Sequence, residues 1–453
     1  MSSVDEFTVD TVAEPACRPV EVVAIGGDDE AEVRRVARML GRDLAMRPGV
    51  ELAEVVRDLP VGVADGPYRL AVVARDTTEA ARLLCRPVQV AGPVRTRPVY
   101  LMFPGVGDHY AGMAAGLYRC EPTFRYWLDH CAAVLTAELG HDPRVLLHPP
   151  NAPRRGGIDL AALLGRRDEQ APIDRADVAQ PLVFAVEYAL AMLLRSWGLA
   201  PAGLLGYSVG EYVAATVAGV LDLDDALTLV ARRARLIQQL PGGAMSVAML
   251  SEEELRPLLD GVALGAVDGP RLCVASGSVP AVAQLEERLT AAGVAGLRST
   301  ARHAFHSPML DPIVEPLTAM VAGLRRRPPA IPVLSNVSGT WLTDDEATDA
   351  GYWARHAVST VRCVDNIAAL WAEPDALALE VGPGHLLGSL AVQHPARPRV
   401  GEPPVWSTEP LPDNESRTEP GEATDVTAIL TAVARLWQAG ADIDWHGLWS
   451  DGR

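Results

Sequence analysis

A serine stands between two glycines in LLGYSVGEYVAA (204–215), where an apolar run gives way to small residues at helical spacing. That transition confines the chain to folds in which a strand passes directly into a helix. Two readings fit the turn itself. It is a tight turn, where glycine is needed because a side chain would clash. Or it is a nucleophile elbow, Gly206-Tyr207-Ser208-Val209-Gly210, which presents a serine hydroxyl at the N-terminus of the following helix. Free N–H groups at that helix end can stabilise an oxyanion. GxSxG alone is common by chance, and it is the flanking strand and helix that favour the elbow.

The rest of the chain supplies a context of alternating strands and helices. VEVVAIGG (20–27) and YRLAVVA (68–74) read as strands of a small α/β unit ending near Pro98. VYLMFPGVG (99–107) is a buried strand breaking into a Pro/Gly loop. ADVAQPLVFAVEYALAMLLRSWG is a long helix, apolar on nearly every face and therefore central. From Ala244, short strands alternate with two helices, SEEELRPLLD and VPAVAQLEERLTAAG, in a compact α+β insert. Residues 401–425 have linker composition, and AILTAVARLWQAGADIDWHGLW closes with one more helix whose tryptophans dock it onto the body. With 453 residues, 49% of them hydrophobic and 5% aromatic, the chain suits an α/β protein of about two to four units.

A net charge of −18 argues against a nucleic-acid partner, and Arg325-Arg326-Arg327 reads as a solvated surface run. Cys17, Cys85, Cys120, Cys131, Cys273 and Cys363 show neither CxxC pairing nor metal spacing to histidines. They read as reduced thiols of a cytoplasmic protein. The acidic start is not a signal peptide, and no apolar run reaches the ~18 residues of a membrane span.

A serine nucleophile needs a base. His303 and His306 lie in ARHAFHSPML, past the insert, where a Pro-bounded loop can project a catalytic side chain. A structural histidine is the alternative there. An ordinary hydrolase triad places an acid between serine and histidine in the chain. Here the insert fills that interval, and its acids Asp260 and Asp268 sit on a separate unit. In LVARRARLIQQLPGG, Leu227, Val230, Ala234 and Ile237 mark a buried stripe that Arg233 borders. Drawn inward, Arg233 would bind a carboxylate bidentately and select an acidic acyl group. Otherwise it lies along the helix surface with its charge in water.

Taken in order, FPGVGDHYAGM, QPLVFAVEYAL, GYSVGE, RRARLIQQLPGGAM, AVDGP, HAFHSP, IPVLSNVSGTWLT and EVGPG resemble the motifs of modular polyketide synthase acyltransferase domains. They are similar also to the related malonyl-CoA:acyl-carrier-protein transacylases. The resemblance implies an α/β fold with an α/β-hydrolase-like core at 99–243 and 300–397. A ferredoxin-like α+β insert is implied at 244–299. A small N-terminal α/β linker domain at 20–98 follows a flexible tail at 1–19, and a second linker with a C-terminal helix fills 398–453.

The same resemblance implies Ser208 as nucleophile and His306 as base, with the backbone N–H groups of Val106 and Val209 as oxyanion donors. Arg233 becomes the carboxylate clamp, with Gln180, Tyr207, His303 and Phe305 beside the substrate. The HAFH sequence is similar to that of malonyl-selecting domains, whereas methylmalonyl-selecting ones usually carry a YASH-like sequence. The implied activity moves a malonyl group from coenzyme A, through an acyl-serine, to the phosphopantetheine thiol of an acyl carrier protein. No metal or bound cofactor is implied, nor a nucleic-acid or membrane partner; polyketide synthase subunits are further expected partners. No ketosynthase, ketoreductase or carrier motif is found, so a discrete protein acting in trans is expected, an excised part of a synthase being the alternative. Three positions depart from the family pattern: Tyr207 replaces histidine, Val106 replaces glutamine and Asp268 replaces asparagine. They leave open another acyl group or acceptor, or an editing acyl-thioesterase. A non-catalytic docking module is the reading from a different class.

Overall fold

The computed structural model describes residues 18–47, 49–60, 62–87, 89–147, 172–399, 404–408 and 424–451. Of the tail expected at 1–19, only Arg18 and Pro19 fall within them, and Cys17 lies outside. Of the 401–425 stretch, residues 404–408 and 424–425 are described.

A first unit is built on β1 (Glu21–Gly27), buried along Glu21–Ile25, and β2 (Tyr68–Ala74), which alternates in burial, paired antiparallel. The helices Glu30–Ala45 and Thr77–Cys85 pack beside it. Asp29 and Asp76 start them by accepting the N–H groups of Glu32 and Glu79, donors that the first helical turn leaves without partners.

The second sheet begins with β3 (Val99–Phe103) and β4 (Pro201–Gly206). An insert interrupts it with β5 (Ala244–Ala248), β6 (Val262–Gly269), β7 (Leu272–Gly277) and β8 (Gly296–Arg298). The chain then returns with β9 (Val333–Leu334), β10 (Leu377–Glu380) and β11 (Val405–Ser407). The order β11-β10-β3-β4-β9 is parallel throughout. Parallel strands covered on both faces need continuous apolar runs, which is why every residue of VYLMF in β3 is buried. The insert runs β6-β7-β5-β8, all antiparallel, which is the ferredoxin-like β-α-β-β-α-β arrangement.

Three expectations need correction. The first insert helix is only one α turn, Glu252–Leu255, tightening into a 3-10 turn at Arg256–Leu258, because Pro257 lacks the N–H to continue. The single closing helix is two, Thr424–Ala439 and Trp445–Asp451. Gly440 separates them at φ +119, a conformation that β-carbon sterics deny to other residues. Finally, one segment does reach membrane-spanning length and apolarity: the helix Ala176–Ser196, with a mean hydropathy of 1.5. Its scattered Gln180, Glu187 and Arg195 interrupt the apolar run and mask this in the sequence. It is the central helix of the core, and 89% of its most apolar window is buried inside the protein.

The segment after the core joins both larger units. Its strand β11 extends the core sheet beside β10. Its helices return to the N-terminal unit, where Trp449 Nε1 donates to the Val22 carbonyl at 3.0 Å and Arg69 donates to the carbonyls of Trp437 and Ala441. At this junction Trp445 stacks with Trp449 and meets Trp437 edge-on. Among the described residues, Cys85, Cys120, Cys131, Cys273 and Cys363 are free thiols.

Candidate active site

Open parallel sheets place their sites beyond the carboxyl ends of the strands. Here the ends of β3 and β4 lead to two loops in contact. After β4 the backbone turns through Tyr207 and Ser208 into the helix Gly210–Val217. A β-carbon on Gly206 would lie 2.2 Å from the Glu211 nitrogen, and one on Gly210 would lie 2.2 Å from the Phe103 carbonyl oxygen. The two glycines are therefore obligatory for the sharpness of the turn. Ser208 itself sits at φ +53, a strained conformation for a residue with a side chain.

A polar clamp holds that strain. Asn336 Oδ1 accepts the Ser208 N–H at 2.7 Å, and its Nδ2 donates to the Gly206 carbonyl at 2.6 Å. The Asn336 N–H donates to Glu211 Oε2 at 2.7 Å, and the Tyr352 hydroxyl donates to Glu211 Oε1. Asn336 and Glu211 are both buried. IPVLSNVSG and the glutamate of GYSVGE are visible as motifs, yet nothing in their spacing says that one clamps the other.

His306 also lies at positive φ, +54, at the end of the loop that follows the insert. Its Nε2 is 2.8 Å from Ser208 Oγ, and its Nδ1 is 3.0 Å from the Ser359 carbonyl oxygen. A carbonyl can only accept, so Nδ1 carries the proton and Nε2 is left to accept from the serine hydroxyl. Among the described residues no carboxylate orients this histidine; a backbone carbonyl does, which no side-chain pattern could reveal. Burial, with the nearby His356 and Arg233, lowers the imidazole pKa from 6.5 to about 3, so His306 is neutral. The His356 ring lies 5.7 Å from it.

Arg233 is drawn inward, with 1% of its surface exposed. It donates to Gln180 Oε1 of the central helix at 2.5 Å, and its guanidinium lies 5.4 Å from the Tyr212 ring centroid. Among the described residues its Nε has no hydrogen-bond partner and no carboxylate pairs with it. Burial lowers its pKa. A buried cation without a counter-ion is costly, and a bound carboxylate would relieve that cost.

The loop after β3 meets the elbow at Gly105, φ +69, where a β-carbon would lie 2.5 Å from the Tyr207 carbonyl oxygen. Glu187 of the central helix accepts the Gly105 N–H at 2.7 Å. The N–H groups of Val106 and Val209 have no hydrogen-bond partner among the described residues.

Tyr207 and Asp268, two of the departures from the family pattern, lie together at the boundary between core and insert. The Tyr207 ring packs on the cluster containing Ala266 and Val274. Burial raises the Asp268 carboxyl pKa to about 7, opposed by its interaction with Tyr207. His303 and Phe305 share the loop of His306, with ring centroids 6.0 Å apart, and neither hydrogen-bonds Ser208 through its side chain. Ser276 of β7 donates to the Phe305 carbonyl at 2.6 Å, tying this loop to the insert. The arrangement joins a hydroxyl to a neutral base, offers two open N–H donors nearby, and holds an unpaired cation. Such a set can form a covalent ester with a carboxylated acyl group.

The family model for the acyl transferase domain matches residues 99–401. The chain is 36% identical over 356 residues, 78% of its length, to a phenolphthiocerol/phthiocerol polyketide synthase polypeptide of Mycobacterium tuberculosis. It spans 22% of that longer protein. Among solved structures, the acyl transferase domain of SpnD, in complex with 2-(pent-4-yn-1-yl)malonyl, is 36% identical with a TM-score of 0.79. That match covers 94% of this chain and 97% of the SpnD domain. A malonyl CoA-acyl carrier protein transacylase from Burkholderia pseudomallei is 28% identical with a TM-score of 0.55, over 65% of this chain and 97% of that one.

Proposed function

This chain belongs to the acyl transferase domain family of polyketide synthases, and on that premise we propose that it carries a malonyl-class acyl group from coenzyme A to a carrier protein. The observation that carries the reading is the 2.8 Å contact between Ser208 Oγ and the accepting Nε2 of His306, beside a buried Arg233 that lacks a counter-ion among the described residues. The substituted malonyl bound to the SpnD domain and the substrate in the transacylase name support a carboxylated acyl group here.

The reaction is a two-step exchange. His306 Nε2 takes the hydroxyl proton as Ser208 Oγ attacks the thioester carbonyl. The N–H groups of Val106 and Val209 stabilise the resulting oxyanion. The tetrahedral adduct collapses, its C–S bond breaks, and the departing coenzyme A sulfur takes the proton from His306. The phosphopantetheine thiol of the carrier then gives its proton to His306 and attacks the acyl-serine, whose ester C–O bond breaks as Ser208 recovers a proton. Arg233 holds the acyl carboxylate through a charge-assisted pair, with Gln180 fixing the guanidinium. Tyr207, His303 and Phe305 border the acyl group in this reading, and Asp268 acts only through Tyr207. No bound cofactor enters, and the reaction runs in the cytoplasm, with a carrier protein and other synthase proteins as partners.

Incubation with a panel of acyl-CoAs, read by intact mass spectrometry, tests this. A malonyl-class adduct should form on the wild type and be absent from Ser208→Ala. An adduct that persists in Ser208→Ala refutes the nucleophile assignment. Free acid accumulating in place of acyl-carrier product would show an editing thioesterase instead.

A further inference from the structure

We propose that Glu187 is a positioning residue for acyl transfer: from the middle of the central helix it holds the Gly105 N–H and so fixes the neighbouring Val106 N–H for the oxyanion. The inference rests on the acyl-transfer reading above, in which Val106 is a donor.

Glu187 sits fully buried in an otherwise apolar run of the central helix. Placing a carboxyl there is unfavourable unless its oxygens are used. No cation pairs with it among the described residues, and Oε2 has no hydrogen-bond partner there. Burial raises its pKa well above the usual range, with nearby Glu380 adding to the effect. Oε1 accepts the Gly105 N–H at 2.7 Å. Among the described residues this is the one hydrogen bond made by any backbone group of residues 104–107. Room for the side chain is left by Gly382, where a β-carbon would lie 2.9 Å from both Glu187 Cγ and Oε1. On its other side Gly105 presses against the Tyr207 carbonyl. The loop is thus wedged between one acceptor and the elbow, and Val106 is a single peptide unit from that tether. A glutamine can accept the same hydrogen bond, while a leucine of similar size cannot.

Two variants and two measurements decide the matter. In single-turnover acylation with malonyl-CoA, Glu187→Leu should lower the maximal rate about 10- to 100-fold, less than the 10²–10³ of losing a donor outright. Its half-saturating concentration should stay within about twofold, and Glu187→Gln should stay within about threefold of wild type, because binding contacts are untouched. By hydrogen exchange, the peptide containing Gly105 should lose protection in Glu187→Leu and keep it in Glu187→Gln. Should the leucine variant fail to fold, Glu187→Asp, which retracts the acceptor by one methylene, is read by the same two measurements. Wild-type acylation by the leucine variant, or unchanged exchange at Gly105, overturns the proposal. A wild-type enzyme that forms no acyl-serine with malonyl-CoA refutes the acyl-transfer reading instead, and the exchange comparison still decides whether Glu187 holds the loop.

Discussion

Arg233→Met should separate substrate recognition from stability. Arg233 is buried without a carboxylate partner among the described residues and donates to Gln180. In the acyl-transfer reading its second partner is the malonyl carboxylate. Truncating one member of a buried charge pair costs about 2–5 kcal/mol, or roughly 30- to 5,000-fold in rate by the tenfold-per-1.4 kcal/mol conversion. Acetyl-CoA has no carboxylate, so its acylation should hold or rise in the apolar site. The folded state responds differently. Replacing buried ionic groups by packed apolar side chains is neutral or favourable by up to about 4 kcal/mol, but here it leaves Gln180 Oε1 without its donor, at about 1–3 kcal/mol. The single variant should therefore unfold close to the wild-type temperature, and Arg233→Met with Gln180→Leu should unfold above it. Acylation rates come from intact mass against time with each thioester, and stability from thermal unfolding. Equal losses for malonyl and acetyl groups would refute the clamp. A double variant that unfolds well below wild type would refute the claim that Arg233 is an electrostatic burden.

Two further outcomes follow from the clamp and the base. His306 has a pKa lowered from 6.5 to about 3 by burial, so the native state binds fewer protons than the unfolded chain in that window. Its contribution to stability is fully present above pH 6.5 and is lost as pH falls toward about 3; urea midpoints between pH 7 and 4 should fall more steeply in wild type than in His306→Gln, and parallel curves would contradict this. Asn336→Ala leaves the Ser208 N–H and the Gly206 carbonyl without their side-chain partner, at about 1–3 kcal/mol for each buried group; the unfolding temperature and the maximal acylation rate should both fall with the half-saturating concentration unchanged, whereas a rise in that concentration alone would show that the elbow does not depend on the clamp.

The features legible in the sequence were those carried by neighbours in the chain. The elbow could be read because Gly206, Ser208 and Gly210 impose their turn through contacts among residues a few positions apart. The insert could be read because each of its short strands ends at its own turn, although Pro257 shortened the first helix more than periodicity suggested. In the same way the closing segment read as one helix, since its apolar pattern crosses Gly440 while the backbone there does not.

The sequence by itself determined the strands that flank the elbow and those of the insert, the sharp turn at Ser208 and the ordered motifs that mark the acyl transferase family. Tertiary structure alone decided what each polar group faces. His306 lies 98 residues from Ser208, and Asn336 lies 128 residues from it. The partner of His306 Nδ1 is a main-chain carbonyl at Ser359, a group every residue possesses. Arg233 on a half-apolar helix could face water or core, and only packing against Gln180 and Tyr212 turned it inward. Local pattern fixes backbone conformation because its sterics act between adjacent residues. Burial and pairing are fixed only when distant segments close on one another, and there the chemistry of this site is set.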